Sequence, residues 1–392
     1  MDPRPIADDI FAVGAQDGER RLFDGLIPLP DGTSYNAYLI RGSEKAALID
    51  TVDPTKTEIL MDFLSHVSAL DFVVAHHGEQ DHSGSLPVVL GKYPGAKVVC
   101  SPKAKGILID LLAIPEDKFV VVEDGARIGL GGLTLEFVHT PWVHWPETMC
   151  TYLPERKILF SCDFFGAHLA QSGLFAKDDE HIQEAAKRYF AEIMMPFRTA
   201  IQKNMEHLKG LAIETIAPSH GPIRRRPGII LTAYREWIED KPKNEAVVAY
   251  VSMHGSTAAM VKKLAVSLTS RRVGVTLHNL ADGDVGELAM ALVDAGTVIL
   301  AGPAVLAGLH PKVAFAAVLA NALRPRARFA SFVGSFGWGH KMIDQLLALL
   351  PNLKVEVIPP VLCRGLPKSA DYEAIDALAA TVAAKHKDAD LA

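Results

Sequence analysis

One short segment constrains the fold of this chain more than any other. VVAHHGEQDHSG, residues 73–84, carries three histidines and two acids between His76 and His82, directly after the apolar run 71–75. Such a run, ended by polar residues and glycine, is typical of a buried strand. Strand ends hold side chains rigidly, and mixed imidazole and carboxylate donors suit iron, manganese or zinc. We therefore expect a sheet with a metal site at its edge.

The spacing within this segment suggests two neighbouring ions. The candidate ligands are His77, Glu79, Asp81 and His82. If the backbone is extended, alternate side chains project alike and His82 faces another way. This predicts His77 and Glu79 on one ion and Asp81 and His82 on the other. The alternative is a polar loop in which Asp81 or Ser83 caps a helix that begins near Ser85.

Three later segments each follow or end a predicted strand with a further ligand type. FVHTPWVHWPE (137–147), ILFSCDFFG (158–166) and IETIAPSHGP (213–222) supply His144, Asp163 and His220. Two other histidines have weaker claims. We expect His139 to be satisfied by local hydrogen bonds, and His76 to point away from its neighbour in the cluster.

The chain divides into two regions of different pattern. The first combines short strands with helices, which predicts sheets covered by helices. Its predicted strands are Tyr35–Ile40, Lys45–Asp50 and Leu133–His139. Its predicted helices are Thr55–Ser68, Asp178–Leu211 and Pro227–Glu239. The polar, proline-containing segment EDKPKNE (239–245) marks the boundary. The predicted domains are therefore 1–243 and 244–392.

The second region alternates strand and helix, which predicts a parallel, doubly wound sheet of about five strands. The predicted strands are 246–252, Gly274–Asn279, Thr297–Ala301, Arg328–Val333 and Lys354–Pro359. The predicted helices are Ser256–Ser270, Asp284–Ala295, His310–Ala322, Lys341–Leu349 and Ala370–Lys385. The most apolar stretch, Leu288–Leu309, contains Asp294, Pro303 and glycines. We therefore interpret it as a buried strand, loop and helix and not as a membrane span.

Composition excludes several classes of protein. The net charge of -6 gives no electrostatic reason to expect nucleic acid as a partner. The first residues lack the pattern of a secretory signal. The cysteines Cys100, Cys150, Cys162 and Cys363 form no C-x-x-C pair, which argues against a zinc knuckle, a disulfide scaffold or a fused rubredoxin. We expect a cytoplasmic protein without a membrane partner.

The order of these motifs resembles a known family. H-x-E-x-D-H, a later histidine, an aspartate at a strand end and a histidine in SHG resemble the metallo-β-lactamase fold. Hydrolases of that fold usually bind zinc and have histidine at the position of Glu79. Glu79, HWPE around His144 and LFSCDFFG around Asp163 resemble the flavodiiron proteins, over essentially the whole chain. The resemblance implies a metallo-β-lactamase-like αββα sandwich followed by a flavodoxin-like doubly wound parallel sheet.

The resemblance also implies which residues bind the two iron ions. It places His77, Glu79 and His144 on one iron, Asp81, His82 and His220 on the other, and Asp163 between them. One position departs from the family pattern. RLFDGL has Asp24 where the family often has a histidine near the metals, which removes no ligand but leaves open how the surroundings tune the irons and which substrate is preferred.

The same resemblance implies an FMN site at three turns of the second domain. In the first turn, hydroxyls and the start of a helix would bind the phosphate, although an ordinary capped turn is the alternative. In the third turn, the ring of Trp338 would lie on the flavin. NAD is disfavoured because no G-x-G-x-x-G follows the strand. The implied residues are Ser252, Met253, His254, Gly255, Ser256, Thr257, Pro303, Ala304, Val305, Leu306, Ala307, Gly308, Ser335, Phe336, Gly337, Trp338 and Gly339.

The resemblance implies an oxidoreductase in which FMN feeds a di-iron site that reduces O2 to water, NO to N2O, or both. The implied electron donor is a separate rubredoxin or reduced F420, and the implied assembly is a head-to-tail homodimer or a dimer of dimers. Two alternatives are open: a zinc-dependent hydrolase with an accessory flavin domain, and an electron carrier that binds flavin without catalysis.

Overall fold

A computed structural model describes residues 2–177 and 180–392 of the chain. The chain forms two compact units, Met1–Ile238 and Glu239–Ala392. The domain boundary expected from the sequence, between residues 243 and 244, stays a prediction. The expected fold class is confirmed: two stacked sheets with covering helices precede a parallel sheet with helices.

Among the described residues, the first unit contains two large sheets and two small two-stranded sheets. In spatial order, the seven-stranded sheet contains Arg4–Ala7, Ile10–Ala12, Tyr38–Arg41, Ala46–Ile49, Phe72–Val74, Lys97–Cys100 and Phe119–Val121. The five-stranded sheet contains Arg127–Gly129, Thr134–His139, Met149–Leu153, Ile158–Cys162 and Thr215–Pro218. In the two small sheets, Ala15–Asp17 pairs antiparallel with Thr33–Tyr35, and Leu22–Phe23 forms a hairpin with Ile27–Pro28.

Alternation along the central strands produces two cores. Leu48 and Val73 face a core that is completed by helix residues such as Leu60. Their chain neighbours Ile49 and Val74 face the other side, where they pack with residues of the second sheet. Successive side chains of a strand point to opposite faces, so continuous apolar strands can be buried on both sides. The seven-stranded sheet therefore lies between helices and the five-stranded sheet.

The helices of the first unit are shorter than the sequence suggested. The α-helices are Thr57–Phe63, Gln80–Ser83, Leu86–Lys92, Pro102–Leu112, Glu180–Tyr189, Arg198–Leu208 and Pro227–Ile238. The predicted helix Thr55–Ser68 begins and ends as 3-10 turns. The prediction Asp178–Leu211 starts outside the described residues. Its remainder is interrupted by the π-helical turn Phe190–Met194 and by a 3-10 turn that contains a proline, which cannot continue the hydrogen-bond ladder.

The second unit is built on parallel strands. Their spatial order is Gly274–Asn279, Glu245–Tyr250, Thr297–Val305, Phe329–Phe336 and Glu356–Val357, and Val361–Arg364 also pairs with the fourth strand. Gly308–Leu309 folds back on the third. The α-helices are Ser256–Thr269, Val285–Asp294, Pro311–Leu323, Met342–Ala348 and Ser369–Asp388. Numbered along the chain, this order is 2-1-3-4-5. Proteins whose sheets have this strand order bind ligands at the carboxyl ends of the first and third strands.

Three sequence-based predictions are corrected here. Tyr35–Ile40 is two strands, because the chain leaves one sheet after Tyr35 and joins another at Tyr38. The predicted strand Lys354–Pro359 is reduced to Glu356–Val357, and a separate strand, Val361–Arg364, begins only after Pro359 and Pro360, which cannot donate to the ladder. Within Leu288–Leu309, the expected order of strand, loop and helix is wrong: the helix Val285–Asp294 precedes the strand Thr297–Val305, in agreement with the separate predictions Asp284–Ala295 and Thr297–Ala301, and hydropathy alone does not separate a buried helix from a buried strand. No helix among residues 2–177 and 180–392 has the length and apolarity to cross a membrane.

Candidate functional site

Strand ends of both sheets in the first unit bring the seven predicted ligands to one place. His77 lies three residues beyond Phe72–Val74, Asp163 follows Ile158–Cys162, and His220 follows Thr215–Pro218. His144 lies in the loop between Thr134–His139 and Met149–Leu153. Glu79 and His144 are half-buried, and the other five ligands are buried.

The motif H-G-E-Q-D-H is partly helical. Glu79 occupies the N-cap position of the short helix Gln80–Ser83, so Asp81 and His82 lie within that helix. The assumption of an extended backbone was therefore wrong for this part of the motif. The capping alternative is also wrong, because Asp81 and Ser83 lie within the helix Gln80–Ser83, the oxygens of Asp81 accept no hydrogen bond from a described residue, and the hydroxyl of Ser83 donates to the carbonyl of Gly78.

The ligand atoms of His77, Glu79 and His144 form a first group with Asp163. Oε2 of Glu79 is 3.0 Å from Nε2 of His77 and 3.1 Å from Nε2 of His144. Oδ2 of Asp163 is 3.3 Å from Nε2 of His144. Atoms bound to one ion at about 2.1 Å are about 3.0 Å apart at octahedral and about 3.4 Å apart at tetrahedral angles. The spacing of this group thus suits a single metal ion.

The other carboxylate oxygen of Asp163 belongs to a second group. Oδ1 of Asp163 is 3.0 Å from Nε2 of His82 and 3.4 Å from Nε2 of His220. Oδ2 of Asp81 is 3.1 Å from Nε2 of His220. The two oxygens of one aspartate therefore face two different sets of ligands, as a carboxylate that bridges two ions must do.

The donor set fits metal ions because several of its atoms have no protein partner. Both oxygens of Asp81, both oxygens of Asp163 and both ring nitrogens of His82 are buried without an aligned hydrogen bond from any described residue. A buried polar atom left without a partner costs about 1–3 kcal/mol. Six such atoms in one cluster are accounted for if cations complete their coordination.

Two ligand histidines are oriented by bonds on their outer nitrogens. Nδ1 of His77 is 2.8 Å from Oε1 of Glu147, which also accepts from the Gly78 amide at 3.0 Å. Nδ1 of His220 donates to the carbonyl of Ser34 at 2.7 Å. Such bonds fix the tautomer and direct Nε2 toward a metal. Glu147 was missed as a functional residue, although it ends the motif HWPE.

The charges of the site are strongly coupled. Burial raises the pKa of Asp163, but the charge of His82 and the close contacts with the rings of His144 and His82 lower it well below the usual range. Burial lowers the pKa of His144, but the contacts with the carboxylates of Asp163 and Glu79 raise it to about 10. Without metal, these carboxylates therefore favour the protonated form of His144.

Three buried side chains that the sequence did not single out surround His220. Their ring centroids lie 5.0 Å (His168), 5.8 Å (Tyr189) and 6.4 Å (Phe23) from that of His220. His168 also lies 2.9 Å from the hydroxyl of Thr33. Burial and then the charge of His220 keep the pKa of His168 well below its usual range. These rings shield one side of the ligand cluster from water.

Asp24 lies on the turn of the hairpin formed by Leu22–Phe23 and Ile27–Pro28. Burial and then the charges of Glu79 and Asp81 raise the pKa of its carboxyl. The departure from the family pattern noted in the sequence therefore places a further acid within electrostatic range of the ligand cluster.

Two histidines lie outside the cluster, as the sequence suggested. Nε2 of His139 contacts the carbonyl of Val122 at 3.1 Å, and its amide donates to Asp124. His76 faces away from His77 and is bonded to Asp50 and Thr151.

The second unit has an open edge where the three predicted turns meet. Gly255, with a φ of +90°, precedes the helix Ser256–Thr269 and provides no side-chain cap. The hydroxyls of Thr257 and Ser335 are 3.0 Å apart and so connect the first turn to the third. The hydroxyl of Ser252 accepts from the amide of Ala258 in the first turn of this helix at 3.2 Å. The other amides at the helix start, beside hydroxyls, fit a phosphate such as that of FMN.

The middle turn is tighter than the sequence suggested. Pro303, Ala304 and Val305 continue the strand Thr297–Val305, which reverses through Leu306 and Ala307, both with positive φ. Leu306 is 92% exposed, and Trp338 in the third turn is 81% exposed. Large apolar side chains on glycine-rich turns at a sheet edge fit the aromatic face of a flavin.

Comparisons with known proteins place this geometry in context. A family model described as ODP family beta lactamase matches residues 33–221. The chain is 34% identical to a nitric oxide reductase from Moorella thermoacetica over 98% of this chain and 99% of that protein. It is 35% identical to a coenzyme F420H(2) oxidase from Methanothermobacter marburgensis over 79% of each.

Solved structures agree over both units. A rubredoxin oxygen:oxidoreductase from Desulfovibrio gigas matches with a TM-score of 0.94 and 31% identity over 100% of both chains. A flavodiiron protein from Giardia intestinalis matches with a TM-score of 0.92 and 26% identity over 99% of this chain and 97% of that one.

Proposed function

The chain belongs to the flavodiiron protein family, and from that membership we propose that it is an oxidoreductase that reduces O2 to water, NO to N2O, or both. The observation that carries the proposal is the pair of ligand groups that share Asp163. A pair of adjacent metals can hold two electrons and present one coordination site each, which suits a diatomic substrate.

We assign the ligands as follows. His77, Glu79 and His144 would hold one iron, Asp81, His82 and His220 would hold the other, and Asp163 would offer one carboxylate oxygen to each group. When bound, the irons supply the redox centre for the diatomic substrate, and FMN supplies the electrons. Four neutral and three anionic side chains leave room on each ion for a substrate, unlike the closed set of a structural site.

The chain's own residues support this chemistry in three ways. Glu147 keeps Nε2 of His77 directed inward. The rings of His168 and Tyr189 limit access of water from one side of His220. Reduction of O2 to two waters consumes four protons and four electrons, and coupling of two NO to N2O and water consumes two of each. A buried centre therefore also needs polar groups nearby, and Asp24 lies within electrostatic range of Glu79 and Asp81.

The FMN site is proposed at the edge formed by 252–257, 303–308 and 335–339. The amides that begin the helix Ser256–Thr269 would hold the phosphate, and Trp338 would contact the ring. The donor is proposed to be a separate rubredoxin or reduced F420, since relatives carry both names. A head-to-tail homodimer or dimer of dimers, which places the FMN of one chain beside the irons of another, and a cytoplasmic location stay proposals.

The test is to prepare the protein with iron and FMN and to time the loss of O2 and of NO under a chemical reductant. We expect two irons and one FMN per chain, and rates at least tenfold lower in Glu79→Ala and His144→Ala. His139→Ala is the matched control, because this histidine lies at the strand end before the same loop but outside the ligand groups.

Two outcomes would contradict the proposal. Two zinc ions per chain with hydrolysis of lactams or thiolesters would favour a hydrolase. Unchanged gas consumption after the metal is removed with FMN retained would favour an electron carrier whose flavin alone reacts.

A further inference from the structure

The buried carboxylate of Asp50 lies near the seven predicted ligands but is not one of them. Asp50 follows the strand Ala46–Ile49 and is 2% exposed. Its Oδ1 accepts from the backbone amide of His76 at 2.9 Å, and its Oδ2 accepts from Nδ1 of His76 at 2.8 Å. Oδ2 also accepts from the hydroxyl of Ser219 at 3.2 Å. One carboxylate therefore accepts three hydrogen bonds inside the first unit.

Asp50 is not a ligand of a further metal. Ligand atoms of Asp50, His76 and Cys162 lie within 4.8 Å of one another, which alone would suggest a site. However, both oxygens of Asp50 are already used, and Nε2 of His76 lies 2.7 Å from the hydroxyl of Thr151. An ion would have to break these bonds, so the role of Asp50 must be sought in what it holds in place.

The hydrogen bonds of this network are made either to a residue next to a metal ligand in the chain or to the backbone of a ligand itself. His76 precedes His77 on the strand end that begins the H-G-E-Q-D-H motif, and Ser219 precedes His220. Thr51, the residue after Asp50, donates to the carbonyl of His82 from its amide at 2.8 Å and from its hydroxyl at 2.5 Å. The segment around Asp50 therefore fixes the backbone beside ligands of both groups.

We propose that Asp50 is a positioning residue that fixes the ligands of both ions, His77 on one side and His82 and His220 on the other. The proposal rests on the metal centre proposed above, but not on the gas that is reduced. Glu147 provides the contrast, because it contacts His77 and the adjoining amide and so acts on one group only.

Asparagine at this position would test the idea because it keeps the shape and changes the bonding. An ionised carboxylate only accepts hydrogen bonds, whereas an amide has one acceptor oxygen and a donor nitrogen. With asparagine, either the amide of His76 would face another donor, or the ring of His76 and the hydroxyl of Ser219 would have to accept where they now donate. Changes to groups that support metal ligands typically weaken metal binding by about 10–100-fold.

The experiment titrates Co(II) into the metal-free full-length chain against a competing chelator, with the visible absorption of bound cobalt as the readout. The wild type should bind two ions. Asp50→Asn should weaken both ions by about 10–100-fold and change the cobalt spectrum. Asp71→Asn is the matched control. Asp50 connects the carboxyl ends of the strands Ala46–Ile49 and Phe72–Val74, and Asp71 connects their amino ends, where it accepts from the Ala46 amide at 2.9 Å. Its affinities should equal those of the wild type.

A milder variant covers the case in which Asp50→Asn does not fold. Ser219→Ala removes one of the three bonds and should weaken only the ion held by His220. The positioning role is overturned if Asp50→Asn, or Ser219→Ala in its place, binds two cobalt ions as tightly as Asp71→Asn. A wild-type chain that binds no cobalt would overturn the metal centre together with the role of Asp50.

Discussion

The substitution Glu147→Gln gives a prediction whose size follows from the local bonding. Oε1 of Glu147 accepts from Nδ1 of His77 and from the Gly78 amide, while Oε2 is buried with no partner among the described residues. A glutamine can keep both bonds through its amide oxygen, so the geometry survives and the negative charge is lost. We expect about tenfold weaker binding of one metal ion, or about 1.4 kcal/mol, at the lower end of the range for such changes.

The assay is a cobalt titration that resolves the two ions, followed by iron content of the purified enzyme. Glu136→Gln is the matched control, because Glu136 pairs with Arg127 on an exposed surface of the same unit. The reasoning fails if both ions are weakened equally, since Glu147 contacts only one ligand, or if neither is weakened, since the charge would then have no influence on His77.

Three further predictions test the charges, the core and the flavin site. Metal binding at pH 7 should release protons, because the pKa of His144 is raised to about 10 and a metal must displace that proton. The metal affinity should therefore rise by about tenfold per pH unit for each proton displaced. Calorimetry in buffers of different ionisation enthalpy would measure the number of protons released. Phe160→Ala should lower the free energy of unfolding by about 3–5 kcal/mol in urea titrations, because the side chain of Phe160 is 1% exposed between the sheets. Phe315 is 44% exposed, so Phe315→Ala should change the free energy of unfolding by less than about 0.5 kcal/mol. Trp338→Ala should weaken FMN binding by about threefold to tenfold in fluorescence titrations, the size of one aromatic contact, and an unchanged affinity would remove Trp338 from the site.

The sequence predicted the fold where the patterns were local and regular. In the second unit, the strand Gly274–Asn279 has the predicted bounds, and the helix Ser256–Thr269 ends within one residue of the prediction. Glycine and proline turns separated these elements clearly. The alternation of strand and helix also predicted the helix Val285–Asp294 correctly, whereas hydropathy alone placed a strand before the helix within Leu288–Leu309, because a short apolar run has no periodicity that separates the two.

The candidate ligands could be named from the sequence because each ends or follows a strand in a distinctive motif. Their supporting residues could not, because the contacts join distant parts of the chain. Glu147 is 70 residues from His77, and Asp50 is 26 residues from His76. Asp50 lies in a pattern that does not differ from an ordinary strand end, and the motif HWPE does not show that its glutamate contacts His77, so only the packed structure reveals both roles.

The wide spread of the ligands along the chain has a consequence for how the enzyme is made. The first group needs His77 and Asp163, and the second is complete only when His220 has arrived, near the end of the first unit. A nascent chain cannot assemble either coordination sphere before both sheets have formed. Metal incorporation should therefore come last in maturation, and the metal content of a purified sample should report the fraction of molecules whose first unit is correctly folded.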